Sequence, residues 1–376
     1  MFEKLTYLQL QEYWWFIVAL LGAMYVFMNF IQGGQTLLFT ITKSEDEKDL
    51  IVNSLGRKWE IGFTTLVMFG GALFAAFPLF YSTSFGGAYY LWMAILFCYI
   101  IQAVAYEYRK KPGNVFGQKV YEIFLFINGS LGVILVGVAL GTLFSGGNFE
   151  VNSMNLSYWT KNTYGLEALG VAFNVAFGLM LFFLARVQGG LYFLNNIKNS
   201  SLINRAAIVV KYEGVIFLIL FIYVIFNIFT MNGYSYDSNT KIITKEAFKY
   251  FHNFLDMPFV STTFIIGALL VVVAIFLGAI KKSRKAIWFS GIGSIMVVIA
   301  LFLILGYNNT AYYPSLTDMQ SSLTIENSSG SYYTLVVMSY VSLMVPFVLA
   351  YIIAVWRVMN KEPISLEEIK NDPHHY

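Results

Sequence analysis

Charge is what this sequence lacks most. Only 12% of its 376 residues are Asp, Glu, Lys or Arg, against 58% hydrophobic and 18% aromatic, whereas a soluble domain carries about a quarter charged residues. That excludes a water-soluble globular protein, and domain counting by length with it. Cysteine is almost absent: Cys98 stands alone inside an apolar run, so no internal disulfide, CxxC zinc site or CxxCH heme attachment can form. Histidine is nearly as scarce. His252, His374 and His375 all fall outside the apolar runs, which excludes a heme bundle with paired intramembrane histidines, although methionine ligation alone stays open across 14 methionines. No Gly-rich phosphate loop ends in Lys-Ser/Thr, and nothing supports nucleic-acid binding, nucleotide binding or zinc hydrolysis.

Hydrophobic runs fill the space left by these absences. A hydrocarbon core of about 30 Å needs about 20 apolar residues in a helix, and nine stretches qualify, at 14–41, 61–85, 88–109, 120–144, 164–196, 206–230, 257–280, 286–307 and 334–358. The first is too long for a signal-peptide core and lacks a cleavage pattern, so it is expected to stay in the mature chain. The second and third are joined by a short Phe85-Gly86-Gly87 turn, which makes them an antiparallel hairpin. Seventeen Lys and Arg fall on one side of the nine spans and five on the other. The excess places the C-terminus in the cytoplasm and the N-terminus outside. The two long outer connections, 231–256 and 308–333, read as caps rich in Asn, Ser, Thr and Tyr, and the tail NKEPISLEEIKNDPHHY as partly disordered.

Short strings recur in order. FIQGGQTLLF (30–39) and RVQGGLYFL (186–194) place Gln32-Gly33-Gly34 and Gln188-Gly189-Gly190 at one depth. Each is followed by a polar connection and then by a lysine, an aromatic and a glutamate: KWEIG (58–62) and KYEG (211–214), the latter carrying Lys211 and Glu213. The matches predict an all-α membrane fold of two four-helix bundles related by a pseudo-twofold along the membrane normal, plus one extra helix. The expected divisions are 1–145 and 146–307 for the halves, 308–333 for an outer loop, 334–360 for the ninth helix and 361–376 for the tail. Paired glycines allow close backbone approach and glutamine supplies an interhelical hydrogen bond worth about 1 kcal/mol. Packing is the favoured explanation for these glycines and for Gly137 and Gly141, which stand at GxxxG spacing.

Ionisable groups at or inside the bilayer are costly and therefore mark candidate sites. Here they are Glu60, Glu107, Arg109, Glu122, Arg186, Lys211 and Glu213, all toward the basic ends of their helices, where snorkelling or pairing also explains them. Asn29, Gln102, Asn128 and Asn174 fall deeper and need partners from neighbouring helices or water. Glu60 stands at a helix start, where the macrodipole favours an anion. It could take up cytoplasmic protons or simply pair with Arg57 or Lys58, and spacing does not choose.

Residues 49–111, through DLIVNSLGRKWE, GGALFAAFPLFYSTSFGGAYY and AVAYEYRKK, resemble subunit II of the cytochrome bd quinol oxidases. Weaker resemblance runs through VQGGLYF (187–193), HNFLDMP (252–258) and YYPSLTDMQSSLTIENSSGSYYTLVVM (312–338). The resemblance implies a bacterial or archaeal cytoplasmic-membrane complex whose larger, heme-bearing subunit I holds two hemes b and one heme d, oxidises quinol and reduces oxygen to water. It implies that this subunit ligates no heme, has room for a structural quinone or lipid, lines a cytoplasmic proton route and can be joined by a small single-helix subunit. Glu60, after Trp59, lands on the family's acidic residue at the proton mouth, and Glu107, Asn29 and Gln102 fall on the same expected route. Departures are informative. The family's Asp-Gly-Phe-Asp-like stretch is NFIQGG here, giving Asn29 and Gln32; its Gly-Asn-Glu/Gln-Val-Trp is IGFTT; its third-helix Arg is Gln102. An amide does not titrate near neutral pH, so a route through these positions must be water-borne, relocated or absent. A secondary transporter and a purely structural subunit, sensitive only to packing changes such as Gly71 to Leu, are the alternatives.

Overall fold

The computed structural model describes residues 1–371, and nine helices in it are long and apolar enough to cross a membrane. They are α1 (Tyr7–Thr36), α2 (Glu45–Ala76), α3 (Tyr89–Tyr108), α4 (Gln118–Ser145), α5 (Ala172–Asn196), α6 (Ser200–Thr230), α7 (Pro258–Ala279), α8 (Ala286–Gly306) and α9 (Tyr332–Met359). His374 and His375 lie outside the described residues.

Boundaries follow local chemistry. Thr6 opens α1 through a reciprocal capping box with Gln9. Ser44 caps α2, with Glu45, Asp46 and Glu47 in the first turn where the helix dipole favours anions. The charged stretch 45–56, expected to be a connection, is therefore helical and lengthens the second span by sixteen residues at its start. Pro78 ends α2, because the residue before a proline is pushed out of helical geometry, as Phe77 is at φ −129 and ψ 64. The fifth span begins at Ala172 and not at 164: Gly165 takes φ +95 and a 3-10 turn over Leu166–Gly170 intervenes.

The centre of the molecule is α1 against α5, whose apolar windows are 78% and 83% buried, whereas α9 is only 17% buried and lies outermost. The two Gln-Gly-Gly strings meet there. A Cβ on Gly33 would lie 2.0 Å from the backbone carbonyl carbon of Ala185, and one on Gly189 would lie 2.5 Å from the Gly34 nitrogen. The second glycine of each string faces a further helix: Gly34 against Leu55 of α2, Gly190 against Val210 of α6. At the GxxxG positions of α4, a Cβ on Gly137 would come within 2.5 Å of the Gly178 Cα, and one on Gly141 within 2.8 Å of Asn174. Gly71 has open space around it within the chain, so it is not one of the glycines that hold these helices together.

One end of the bundle is covered by the long connections. Hairpin β1 (Phe149–Val151) with β2 (Ser157–Trp159), hairpin β3 (Gly233–Tyr236) with β4 (Ile243–Glu246), and the segment 308–331 join into one cap. Its anchors are Tyr312 and Tyr313, fully buried among Trp15, Phe77, Phe80 and Phe149. The opposite end carries the short basic connections. There the described part of the tail packs onto the bundle: Ile364 is buried and exchanges backbone hydrogen bonds with Asn196 and Lys198, and Arg57 pairs with Glu368 at 2.6 Å. Ile369 is buried as well and Leu366 packs beside it, apolar anchors that the polar composition of the tail concealed.

Gly33→Ala is expected to destabilise the protein by at least the about 1–3 kcal/mol of an overpacked core, since its Cβ meets backbone that cannot rotate away. Gly71→Ala should be neutral. Thermal unfolding of the two variants in detergent checks the contrast.

Candidate functional site

Side chains three and four apart share a helix face, and α1 and α3 each turn a polar file toward the other: Tyr25, Asn29, Gln32 and Gln35 on α1, and Tyr99, Gln102, Tyr106 and Arg109 on and just past α3. They meet rung by rung. The Tyr25 and Tyr99 hydroxyls stand 2.6 Å apart, Gln32 Nε2 donates to Gln102 Oε1 at 3.4 Å, and Gln35 Nε2 donates to the Tyr106 hydroxyl at 3.0 Å. All are buried. Ten residues of helix cover about 15 Å, so the ladder reaches from the basic end to near mid-depth.

Asn128 of α4 stands beside it, in a widened helical turn over Asn128–Gly132. A Cβ on the next residue, Gly129, would lie 2.1 Å from the Gln32 carbonyl oxygen, and one on Gly132 would lie 3.1 Å from the Cys98 Cβ of α3. Polar capacity exceeds the bonds made. Asn29 Oδ1, Gln35 Oε1, Gln102 Nε2 and both amide atoms of Asn128 are buried without a partner among the described residues. Asn29 Nδ2 bonds only within its own helix, to the Tyr25 carbonyl at 3.2 Å.

At the basic end the ladder is closed by ions. Arg109, fully buried, donates to Glu122 through Nε at 3.1 Å and Nη2 at 2.8 Å, and to Asp49 through Nη1 at 2.8 Å. Lys48 reaches Glu122 at 3.0 Å and Lys110 reaches Asp49 at 2.9 Å. Buried charges need such mutual pairing. A second network joins α1, α5 and α6: Arg186 of α5 forks onto Glu213 of α6 at 2.6 and 2.7 Å, and its third nitrogen donates to Thr36 of α1 at 2.6 Å.

The expected site residues divide. Asn29, Gln32 and Gln102 come together in the ladder. Trp59 joins from α2, its ring stacked on Tyr106 with centroids 5.6 Å apart and planes 11° apart. Glu60 and Glu107, each the residue after a partner in that stack, are exposed on the chain surface. Glu107 pairs loosely with Lys111 at 3.6 Å. Glu60 pairs with neither Arg57, which holds Glu368, nor Lys58, which is buried against Met359 and Trp356. Of the repeat residues, Gln188 donates to Ser290 and Ser294 of α8 at 3.1 Å each, Glu213 sits in the Arg186 network, and Lys211 is exposed over the Tyr212 ring. Asn174 is spent on packing, bonded to Ser145 and the Ala168 carbonyl. The ladder residues absent from the expectation are Tyr25, Tyr99, Tyr106 and Gln35. Their signal was available: polar and phenolic residues at three- and four-residue spacing in two facing apolar runs.

No group of three His, Cys, Asp or Glu able to hold a metal occurs among the described residues. His252 lies in the outer cap, half exposed, with Nδ1 3.1 Å from Glu246, a setting that does not fit an intramembrane heme ligand. A nine-span helical chain with a polar ladder in its interior is the class defined by these features, a multi-pass membrane subunit. The family model of cytochrome bd terminal oxidase subunit II matches residues 10–359, and the chain belongs to that family. It is 26% identical to cytochrome bd-I ubiquinol oxidase subunit 2 of Escherichia coli strain K12, over 98% of this chain and 99% of that one. It is 28% identical to a probable cytochrome oxidase subunit 2 of Haemophilus influenzae, over 86% and 87% of the two chains. It is 25% identical to the Bacillus subtilis cytochrome bd ubiquinol oxidase subunit 2, over 95% and 99%. A chain in the structure of the bd oxidase from Geobacillus thermodenitrificans shares the fold, with a TM-score of 0.59 at 14% identity, covering 93% of this chain and 98% of that chain.

Arg109→Met should cost about 3–5 kcal/mol by leaving Glu122 and Asp49 buried and partly unpaired. Arg109→Met combined with Glu122→Met should recover part of that loss. Denaturant or thermal unfolding of the single and double variants measures it.

Proposed function

We propose that this chain serves a bd-type quinol:oxygen oxidoreductase as the subunit that holds the heme-bearing subunit I and brings cytoplasmic protons toward it along the α1–α3 ladder. The observation that carries the reading is the set of orphan amide atoms on Asn29, Gln35, Gln102 and Asn128. Each buried polar atom without a partner costs about 1–3 kcal/mol, and bridging water is the ordinary remedy in a polar interior. Amides cannot pass a proton by titrating, so water ordered on them, with the Tyr25 and Tyr99 hydroxyls, is the carrier. Glu60 and Glu107 flank the Trp59–Tyr106 stack in sequence and sit exposed at the basic end, where they collect protons. That end faces the cytoplasm and the N-terminus the outside, in keeping with the excess of Lys and Arg.

The equivalent placements of Gly34 against α2 and Gly190 against α6 favour two related four-helix halves with α9 added. A cavity of about 240 Å³ among α4 to α8, walled by Phe144, Phe177, Phe217, Phe221 and Leu301, suits the isoprenoid tail of a structural quinone. Hemes belong to subunit I in this reading; the residues of this chain do not fit them, and no step here runs through them.

A second reading, a structural subunit without a proton path, is favoured by the exposure of Glu60 and Glu107. One comparison separates the two. Glu60→Gln in the intact complex should slow quinol-driven oxygen uptake about tenfold or more, toward the low end of what a positioned proton-transfer group contributes, with the heme spectrum unchanged. Gln102→Met, which dries the middle rung, should act in the same direction. Undiminished oxygen uptake in both variants would leave the structural reading standing.

A further inference from the structure

A cavity of about 660 Å³ opens at the basic end between α1, α2, α8 and α9. Its walls are largely apolar, Phe27, Ile61 and Trp288 among them, and its polar lining includes Trp356, Arg357 and Asn360. Trp356 is nine-tenths buried, yet its indole N–H has no acceptor among the described residues, and the Asn360 amide has the Tyr192 hydroxyl beside it but makes no well-formed hydrogen bond among them. Against the Trp356 ring lies Lys58, fully buried, its ammonium 5.3 Å from the ring centroid and 3.4 Å from the Met359 sulfur. Lys58 and Arg357 enter no ion pair among the described residues. Glu368 is taken by Arg57 at 2.6 Å, and Glu60 is exposed and unpaired.

A buried cation facing only a thioether and an indole ring is poorly compensated. Beside it the site offers mainly donors: an indole N–H, an amide and a guanidinium. Donors and cations at one end of an apolar groove are complementary to one kind of molecule, an amphiphile with an anionic head, and basic pockets between membrane helices bind such headgroups. We propose that this cavity is a site for one anionic phospholipid of the leaflet at the basic end. Its phosphate is taken by the Trp356 N–H, the Asn360 amide and Arg357, with Lys58 supplying charge from behind, and its acyl chains follow the wall of α1, α8 and α9. A zwitterionic lipid would bring a second cation toward Lys58 and Arg357 and is disfavoured by the same charges. The site is separate from the ladder, and its occupancy does not depend on the proton reading.

The test is made on the complex purified with its partner subunit in mild detergent. Lipid is extracted and quantified from the wild type, Lys58→Met and Trp356→Phe, the last removing only the N–H and a five-membered ring. The wild type should retain phosphatidylglycerol or cardiolipin through extensive washing, and both variants should retain about fivefold less, the order expected for a lost charge-assisted hydrogen bond. Delipidated wild-type complex should regain thermal stability with phosphatidylglycerol vesicles, but neither with phosphatidylcholine vesicles nor with inorganic phosphate. Equal lipid retention in the wild type and Trp356→Phe overturns the proposal, even where Lys58→Met fails to assemble. Recovery with phosphate alone, or a quinone extracted from the wild type and lost from the variants in place of lipid, overturns it as well.

Discussion

The backbone contact between α1 and α5 at Gly33 and Gly189 is the constraint on which the remaining architecture rests. In lipid there is no hydrophobic gain from bringing two apolar helices together, so association depends on close packing and on polar bonds between helices. Two facing glycine pairs let the backbones approach to where any side chain would collide with main-chain atoms. Once α1 and α5 are locked there, the other faces of α1 are assigned. One turns to α8, where the Trp15 indole donates to the Phe302 carbonyl at 2.8 Å, and another turns its polar file to α3. The same logic repeats at smaller scale where Gly129 seats α4 on the Gln32 carbonyl and Gly137 seats it on Gly178. Small residues mark the closest approaches, and amides and hydroxyls fill the seams beside them.

Similar sequence in the two halves has been put to different ends. Aligning the Gln-Gly-Gly strings sets Phe30 opposite Arg186, and aligning the Lys-aromatic-Glu strings sets Glu60 opposite Glu213. In the second half the arginine captures the glutamate in a forked pair and ties both to Thr36 of the first half. In the first half the corresponding position is aromatic, and Phe30 packs against Tyr192 and Trp356. Glu60 therefore has no arginine to hold it, and Lys58, whose counterpart Lys211 is exposed, is drawn into the interior instead. The fork engages both oxygens of Glu213, whereas Glu60 stays exposed at its helix start.

Much of this was legible without coordinates. Nine spans, the glycine seams at Gly33, Gly189, Gly137 and Gly141, and the buried amides Asn29, Gln32 and Gln102 follow from hydropathy and from the scarcity of polar groups in lipid. Two kinds of feature were not. Helical charged segments such as 45–56 read as loops by composition, because their amphipathic support comes from neighbours: Arg109 holding Asp49 and Arg205 holding Glu47. Partner choice was hidden as well. Glu60 beside Arg57 and Lys58 suggests a local pair by spacing, but the tail's Glu368 takes Arg57 from more than three hundred positions away, and an aromatic cluster takes Lys58. Tyrosine escaped notice for a different reason. With 26 of them in the chain, those on the ladder differ from those at the interfaces only in which face of which helix they occupy.

The character of the ladder follows from its ends. Arg109, Lys48 and Lys110 against Glu122, Asp49 and Glu45 make a nearly neutral, fully engaged cluster. It can close the bottom of the ladder to ions while holding α2, α3 and α4 in register. The acids left over, Glu60 and Glu107, stand outside the cluster, one residue beyond a stacked Trp59 and Tyr106. Inside, each rung offers amide or phenol oxygens and nitrogens with bonds to spare and no fixed charge to trap a cation. An interior of this kind lacks the formal charge or full ring of oxygens with which a hydrated metal ion sheds its water. With Asn29 and Gln32 where the resemblance leads one to expect helix acids, and Gln102 where it leads one to expect an arginine, the fixed charges are gone from these positions and the hydrogen-bonding capacity remains.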